Sequence, residues 1–181
     1  MTSRPTDRVH IFGASGSGTT TLGAALAARL GQRHLDTDDF FWLPTERRFS
    51  VVRPADERDA LMTAAFDAQP RYVLSGSMSN FGAHFFPRFT LAIWVTLPQA
   101  VRMARLEARE RQRHGGAFDT DPETIAQNDA FMDWARQYDE GGLKMRSFAV
   151  HQRVFADFPS LTLRLDGEMT TEAQVARVLM V

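Results

Sequence analysis

The sequence predicts an α/β protein with a five-stranded parallel sheet flanked by helices. Short apolar segments alternate with helical patterns along the chain, and this alternation is typical of parallel strands joined by crossover helices. The segment 91–96 is a continuous apolar run, as expected for a strand that is buried on both faces. A glycine-rich turn joins the first apolar segment to the first helical pattern, which indicates a strand, a loop and a helix in direct succession.

Each element follows from its local pattern. The strands are predicted at residues 9–12, 34–35, 71–75, 91–96 and 161–165. The helices are predicted at residues 19–30, 54–68, 98–113, 121–140, 143–155 and 171–181. Gly31 is expected to end the first helix, because glycine readily takes the left-handed conformation that closes a helix. Asp121 and Pro122 are typical of a helix N-terminus. In the helix 54–68 we expect Leu61, Ala65 and Phe66 to face the core.

The composition narrows the function classes. With 181 residues the chain is expected to form one domain. The absence of cysteine excludes disulfides, thiol catalysis and cysteine-bound metals. A net charge of −1 argues against nucleic acid and anionic membranes as partners, and no apolar run reaches the length of a membrane span. Because residues 1–8 lack the apolar core of a secretion signal, we expect the protein in the cytoplasm.

The glycine-rich turn carries the strongest functional signal. Gly13 and Gly18 have the spacing of a phosphate-binding loop (P-loop), in which Thr20 takes the place of the magnesium-binding hydroxyl. Glycines let the backbone approach a ligand closely, and the loop N–H groups and the helix N-terminus then attract phosphate oxygens. The predicted phosphate-binding residues are Gly13, Ala14, Ser15, Gly16, Ser17, Gly18, Thr19, Thr20 and Thr21. A plain glycine-rich turn without a ligand is the alternative.

One position departs from this pattern. Thr19 stands where a P-loop has the lysine that neutralises phosphate charge. A cation from elsewhere must then supply that charge. Lys144 is the only lysine of the chain, and all other cationic side chains except the histidines are arginines. Lys144 and Arg146, which follow two glycines, are one predicted source of positive charge near the nucleotide, and the predicted helix 98–113 is another.

The predicted helix 98–113 is rich in arginine. Spacings of three and four place these arginines on one helical face: Arg102, Arg105, Arg109 and Arg113. The buried stripe of the helix is expected to be Leu97, Val101, Ala104 and Ala108. Arginines on such a face can cover the phosphates during transfer. The alternative is a solvated face paired with Glu107 and Glu110.

Acidic residues follow the predicted second strand. Asp36, Asp38 and Asp39 come directly after it, and strand alternation would place Asp36 and Asp38 on the same side. Carboxylates at this edge can hold Mg²⁺ through water or accept a proton from a substrate hydroxyl. The alternative is helix capping and loop solvation by Asp38 or Asp39. Ser75 ends the third strand, where many P-loop enzymes have an acid. A serine there can bind the water of a metal but adds no charge.

With these motifs the chain resembles the small P-loop kinases, the group of adenylate, shikimate and gluconate kinases. The loop GASGSGTTTL also resembles that of bacterial proteins described as adenylate-kinase-like or as AAA-family ATPases. A looser resemblance is to the DNA topology modulation proteins. The resemblance to the kinases implies the P-loop NTPase fold, ATP and Mg²⁺ as cofactors, and a helical lid that carries arginines.

The resemblance also implies roles for individual residues. Asp36 and Asp38 resemble the acid pair with which shikimate kinase handles the metal and the acceptor hydroxyl. By this resemblance Thr20 and Asp36 are the expected Mg²⁺ ligands, and Asp38 is the expected base. Arg105 and Arg109 match the lid arginines of these kinases.

The function expected from these features is transfer of the γ-phosphate of ATP to a small acceptor that the sequence does not identify. We expect a single domain over residues 1–181, with an acceptor-binding insert at about 37–70 and a lid at about 105–146. Residues 166–168 would lie near the adenine. The alternative is a nucleotide-binding ATPase or switch with low turnover, which is favoured by the missing lysine and the missing acid on the third strand. A nucleic-acid function, suggested by the topology modulation proteins alone, is disfavoured by the net charge.

Overall fold

The computed structural model of the protein describes residues 4–181. Five strands form one sheet: β1 (Arg8–Gly13), β2 (Arg33–Asp36), β3 (Tyr72–Ser75), β4 (Leu91–Thr96) and β5 (Leu161–Asp166). Neighbouring strands are parallel, and their order across the sheet is β2-β3-β1-β4-β5. The predicted fold class, a five-stranded parallel sheet flanked by helices, is confirmed.

Helices connect and cover the strands. They are α1 (Thr19–Leu30), α2 (Thr37–Phe41), α3 (Ala55–Asp67), α4 (Gln99–His114), α5 (Ala117–Thr120), α6 (Pro122–Arg136), α7 (Phe148–Asp157) and α8 (Thr171–Val178). A 3₁₀ helix spans Ala83–Arg88. The short helix α2 has no counterpart among the predicted elements, because five residues are too few to show a helical period.

Local signals set the ends of several helices. Gly31 closes α1 with a φ angle of 63°, as predicted. The carboxylate of Asp121 accepts a hydrogen bond from the Thr124 N–H at 2.9 Å and caps α6. The predicted helix 143–155 is wrong at its start. Ser147 caps α7 by accepting a hydrogen bond from the Val150 N–H at 3.2 Å, and residues 143–147 form a loop.

The two faces of the sheet bury different apolar clusters. Alternation along β1 directs Val9 and Ile11 towards α1 and α8, and Phe12 towards α3 and α7. His10 lies on the same side as Phe12, among aromatic rings. Burial lowers the pKa of His10 to about 3, so its imidazole is neutral at physiological pH and serves as a core residue.

The predicted inward face of α3 is only partly correct. Phe66 is buried, but Leu61 is 45% exposed, and its neighbour Met62 is fully buried. The ring of Phe66 stacks on Tyr72 with 4.9 Å between the ring centroids. Packing of α3 against this aromatic cluster sets the rotation of the helix about its axis. The few apolar residues of α3 are not enough to predict which face is buried.

The strand order brings the loops after β1, β2 and β3 to one edge of the sheet. Asp36 lies opposite Ser75, and Ser75 lies opposite Ile11. The acidic segment after β2 and the turn after β1 therefore become neighbours, although they are far apart in sequence. Ligands of parallel sheets bind beyond this carboxyl edge.

Close approach of the backbone at this edge requires glycine at two positions. Gly16 has a φ angle of 82°, and a Cβ atom there would lie 2.8 Å from the backbone oxygen of Arg102. Gly76 has a φ angle of 100°, and a Cβ atom there would overlap Oγ1 of Thr37. Both the left-handed conformation and the lack of space exclude other residues. The P-loop thus packs directly on α4.

The buried stripe of α4 differs from the predicted one. Its buried residues are Arg102, Leu106 and Glu110. Ala104 and Ala108 are exposed, so the predicted stripe is wrong at both positions. Arg102 donates a hydrogen bond to the carboxylate of Asp139 at 2.7 Å, and its guanidinium lies 4.8 Å from the centroid of the Tyr138 ring. These partners make burial of Arg102 tolerable, and they remove it from the arginine face predicted to serve phosphates.

Replacing Asp139 with Ala is expected to destabilise the protein by roughly 3 kcal/mol, because the side chain of Arg102 is 0% exposed and would lose its carboxylate. Asp133→Ala is the matched control. Asp133 pairs with Arg136 at the surface of α6, where the two side chains are 71% and 56% exposed. That variant should lose about 0.5 kcal/mol or less. Urea unfolding measures both losses, and equal values would contradict the expectation.

Candidate functional site

A cavity of about 840 Å³ opens at the carboxyl edge of the sheet. Its lining includes these residues predicted for phosphate, metal and acid–base chemistry: Gly13 to Thr21, Asp36, Asp38, Arg105, Arg109 and Arg146. Lys144 is exposed and lies outside the cavity lining, so the structure leaves Arg146 alone as the source of charge in that loop. The cavity lining also includes Arg48, Phe49, Ser77 and Arg113, of which only Arg113 belongs to the predicted arginine face.

The P-loop has the backbone geometry of an anion site. Gly16 and Gly18 are both left-handed, with φ angles of 82° and 94°. The first backbone hydrogen bond at the start of α1 runs from the Leu22 N–H to the Gly18 oxygen at 3.0 Å. The N–H groups of the preceding turn of α1 therefore have no helical acceptor and are available to a phosphate. This geometry fits the polyphosphate of a nucleotide.

Asp36 joins the three segments that meet at the cavity. Its Oδ2 atom accepts hydrogen bonds from Oγ1 of Thr20 at 2.9 Å and from Oγ of Ser75 at 3.2 Å. Its Oδ1 atom accepts one from the Asp38 N–H at 3.0 Å and so caps α2. One carboxylate therefore both caps α2 and lines the cavity. The sequence suggests a cap at Asp38 or Asp39, but the cap is Asp36. Because β2 ends at Asp36 and Asp38 lies in α2, the predicted strand alternation does not set the direction of the Asp38 side chain.

Ser75 does not face the cavity. It is fully buried, and its hydroxyl lies between Asp36 and the Nε2 atom of His34, 2.9 Å from the latter. Burial lowers the pKa of His34, which favours the neutral imidazole at physiological pH. Ser75 and His34 therefore orient Asp36 from below. The sequence shows no signal for His34, since its partners come from other strands.

The oxygen atoms near Thr20 fit a magnesium ion that arrives with a nucleotide. Mg²⁺ usually takes one or two protein ligands and completes its shell with water and phosphate oxygens. The Thr20 hydroxyl and the Asp36 carboxylate offer two oxygen ligands of this kind on the cavity wall. Within residues 4–181 no group of three or more His, Asp or Glu side chains could hold a metal by itself.

Asp38 has an increased affinity for protons. Burial raises the pKa of its carboxyl, and the nearby charge of Asp36 raises it further, while Arg146 and, more weakly, Arg109 oppose the shift. Burial lowers the pKa of Arg146, and the charges of Asp38 and Asp36 counteract this. These charged side chains thus act on one another across the cavity. A carboxylate with a raised pKa suits the role of a general base.

The remaining arginines of α4 approach the cavity in different ways. Arg105 donates a hydrogen bond from Nη1 to the Gly167 oxygen at 3.2 Å, and the same nitrogen lies 4.0 Å from the position of a Cβ atom on Gly18. Arg109 and Arg113 both pair with the buried Glu110, at 2.9 Å and 3.0 Å. Arg105 is therefore the arginine beside the P-loop and the segment 166–168.

An aromatic contact closes one side of the cavity mouth. The ring of Phe49 lies 5.1 Å from the guanidinium carbons of both Arg48 and Arg113. Phe49 is the one non-glycine residue with a positive φ angle within residues 4–181, at 61°, a conformation that costs energy for an aromatic residue. Beside it, Arg47 forms an ion pair with Glu123 of α6. The loop after α2 thus meets α4 and α6.

A buried polar chain supports the floor of the cavity. Ser77 lies 2.8 Å from Nε2 of His151, and the Nδ1 atom of His151 lies 2.8 Å from the hydroxyl of Tyr138. Burial lowers the pKa of His151 to about 3 and raises that of Tyr138 to about 12. Both groups are uncharged at neutral pH, so they can be buried without counter-ions.

Comparison with known proteins gives a close relative. No protein-family model matches the chain. The uncharacterized protein YqaC of Bacillus subtilis (strain 168) is 36% identical over 171 residues, which cover 94% of both chains. The chain belongs to the YqaC family. Shikimate kinase 2 of Escherichia coli is 29% identical to this chain over 114 residues, which cover 57% of this chain and 64% of the kinase.

Solved structures show the fold of this YqaC family member. A shikimate kinase from Bacteroides thetaiotaomicron matches with a TM-score of 0.59 and 20% identity, covering 96% of both chains. A gluconokinase from Sinorhizobium meliloti matches with a TM-score of 0.52 and 16% identity, covering 98% of this chain and 92% of its own. The chain therefore has the P-loop kinase fold. Within residues 4–181 no helix is both long and apolar enough to span a membrane.

Replacing Asp38 with Asn is expected to stabilise the protein at neutral pH. The pKa of Asp38 in the folded protein is raised above its ordinary value of 3.8. Between the ordinary pKa and the raised pKa, the folded state therefore binds more protons than the unfolded state. Stability then falls as the pH rises through this window. Asn carries no charge and avoids that loss. The melting temperature of Asp38→Asn should exceed that of the wild type at pH 7, and the gap should close towards pH 3.8 and below.

Asp129→Asn is the control for this comparison, because Asp129 is an exposed carboxylate on α6 outside the cavity. Its free energy of unfolding should differ from the wild type by about 0.5 kcal/mol or less. The contradicting outcome is a melting temperature of Asp38→Asn, relative to that of the wild type, that rises as the pH falls. It would show that the ionised Asp38 stabilises the fold.

Proposed function

We propose that this protein is an ATP-dependent phosphotransferase that moves the γ-phosphate of ATP to the hydroxyl of a small acceptor. One observation carries the proposal. A P-loop, the hydrogen-bonded pair Thr20–Asp36 and the proton-accepting Asp38 line a single cavity. These are the parts that phosphoryl transfer requires, namely a phosphate cradle, metal ligands and a base. The names of similar proteins, shikimate kinase and gluconokinase, support a small acceptor.

The P-loop and the acidic residues have separate roles in the proposed reaction. The loop N–H groups bind the phosphates, and Thr20 and Asp36 would hold Mg²⁺. When bound, Mg²⁺ neutralises charge on the phosphate oxygens. Asp38 accepts the proton of the acceptor hydroxyl as the acceptor oxygen bonds to the γ-phosphorus. The bond from that phosphorus to the bridging oxygen breaks, and ADP leaves with the electron pair.

Arginines stabilise the charge that develops during transfer. Arg105 lies beside Gly18, and Arg109 lines the same cavity and acts on the charge of Asp38. Their planar guanidinium groups bind phosphate oxygens through paired hydrogen bonds. Both belong to the proposed lid, residues 105–146, which together with the acceptor-binding insert, residues 37–70, would exclude water from the site.

The second candidate function is a nucleotide-binding ATPase or switch with low turnover. Thr19 at the position of the P-loop lysine favours it. Thin-layer chromatography of γ-labelled ATP, incubated with Mg²⁺ and a panel of hydroxy acids and sugars, separates the two functions. A phosphotransferase moves label to one acceptor and loses this activity in Asp38→Asn. A switch binds ATP but transfers no label to any acceptor and releases phosphate slowly.

Replacing Gly18 with Val is expected to abolish binding of ATP in the presence of Mg²⁺. Gly18 has a φ angle of 94°, which a β-branched residue does not adopt, and the strained loop would turn its N–H groups away from the phosphates. Isothermal titration calorimetry should show a loss of affinity of about 100-fold or more, equivalent to the two or more charge-assisted hydrogen bonds lost.

Gly31→Val is the matched control for this variant. Gly31 is also left-handed, with a φ angle of 63°, and lies at the other end of α1 with no atom near its Cβ position. The two variants share the same type of backbone strain, but only Gly18 lies in the cavity lining. Gly31→Val should lower the melting temperature and leave the affinity for ATP unchanged. Unchanged affinity in Gly18→Val would refute the assignment of the loop.

A further inference from the structure

The proposed site lacks the lysine that normally contacts the γ-phosphate. Thr19 carries no charge, and its methyl carbon lies 3.3 Å from the Cβ position of Gly13, against the start of the P-loop. We propose that Arg146, which reaches the cavity from the loop before α7, supplies the positive charge on the γ-phosphate that a lysine at position 19 would supply. This inference rests on the proposed function and names the residue that completes its site.

The position of Arg146 matches this role. The Thr20–Asp36 pair marks the place of the metal, and Asp38 marks the place of the acceptor hydroxyl. The γ-phosphate must lie between them in order to be transferred. Arg146 lines the same cavity, and its charge acts on Asp38 more strongly than that of Arg109. Arg146 therefore faces the point of transfer.

The hydrogen-bond donors of Arg146 are available to a ligand. Its guanidinium lies 5.0 Å from the centroid of the Trp134 ring. In the described part of the chain, Arg146 forms no ion pair within 4.0 Å and donates no hydrogen bond to protein atoms. A ring face holds the group in place but leaves its N–H edge free. Arg146 is only partly exposed, so water screens its charge less than that of a surface arginine.

The other cavity arginines already contact protein groups, which then share their guanidinium groups with any phosphate that they bind. Arg105 is bound to the Gly167 oxygen on the side of the segment 166–168. Arg109 and Arg113 share the carboxylate of Glu110. Arg48 stacks on Phe49 at the mouth of the cavity. Arg146 combines two features that none of them shares: its guanidinium has no ion pair or hydrogen bond to protein atoms within residues 4–181, and its charge acts on Asp38.

The loop that carries Arg146 is well held. Ser147, the next residue, donates a hydrogen bond to the Gly142 oxygen at 2.9 Å, and the Phe148 N–H donates one to the Tyr138 oxygen at 2.8 Å. A Cβ atom on Gly141 would lie 2.8 Å from the Gln137 oxygen, so the turn is tight. A guanidinium on such a loop is positioned before the nucleotide arrives, which reduces the entropy lost on binding.

A double-mutant cycle between positions 19 and 146 tests the inference. Calorimetry with Mg²⁺ gives the Kd values of ATP and ADP, whose ratio reports contact with the γ-phosphate and needs no acceptor. In Arg146→Ala the preference for ATP should fall roughly 10-fold or more, the effect of losing a hydrogen bond to a charged group. Arg146→Lys should retain most of the preference. Lys144→Ala, which removes a charge from the same loop outside the cavity, should leave it unchanged.

Adding the missing lysine gives the decisive comparison. Thr19→Lys should restore the preference for ATP in the Arg146→Ala background, and should add much less to the wild type, because the two cations serve one phosphate. Arg146→Gln, which keeps the contact with Trp134 without the charge, repeats the test if circular dichroism shows that Arg146→Ala is unfolded.

Three outcomes would overturn the inference. They are an unchanged ATP preference in Arg146→Ala and Arg146→Gln, an equal loss of ATP and ADP affinity, and a gain from Thr19→Lys that is the same in both backgrounds. If the wild type binds neither nucleotide, the proposed function itself is wrong. If the wild type binds ATP with a preference that is independent of Arg146, the P-loop assignment stands and only the role of Arg146 fails.

Discussion

The carboxylate of Asp36 is the contact on which the site depends. It accepts hydrogen bonds from α1, from β3 and from the first turn of α2, so one residue sets the relative positions of three segments. This arrangement requires β2 to lie beside β3 and the P-loop helix to pack above both, which the strand order provides. His34 and Ser75 hold the carboxylate from the protein side. The oxygen offered to the cavity is therefore fixed in direction before any metal binds.

The second constraint is the distribution of positive charge. In a P-loop with a lysine, the cation is part of the loop itself. In this protein the loop offers only backbone N–H groups and hydroxyls, and the cations come from α4 and from the loop before α7. Because α4 packs directly on Gly16, the P-loop and the arginines form one unit. Arginine suits this use, since a planar guanidinium reaches phosphate from a distance and binds it through two donors.

The same helix shows how context places one residue type either in the core or at the cavity. Arg102 and Arg105 are three positions apart on α4, yet Arg102 is fully buried against Asp139 and Tyr138, while Arg105 faces the cavity. Asp139 and Tyr138 lie just after α6, and Tyr138 also contacts His151 beneath the cavity floor. The buried arginine thus anchors α4 to the segment that leads to Arg146. Its charge contributes to the fold rather than to the ligand site.

Local features of the sequence determined the five strands, the P-loop, the start of α1 and the acids after β2, because apolar runs, glycine positions and caps act within a few residues. The tertiary structure alone decided which side chains face the cavity. Ser75 is directed towards Asp36 and His34 inside the protein, and Lys144 lies outside the cavity lining. Phe49, in the loop after α2, contacts Arg113 of α4. Their positions depend on partners that are distant in sequence. Spacing within one helix shows which residues share a face, but only the packed neighbours decide whether that face meets core, solvent or ligand.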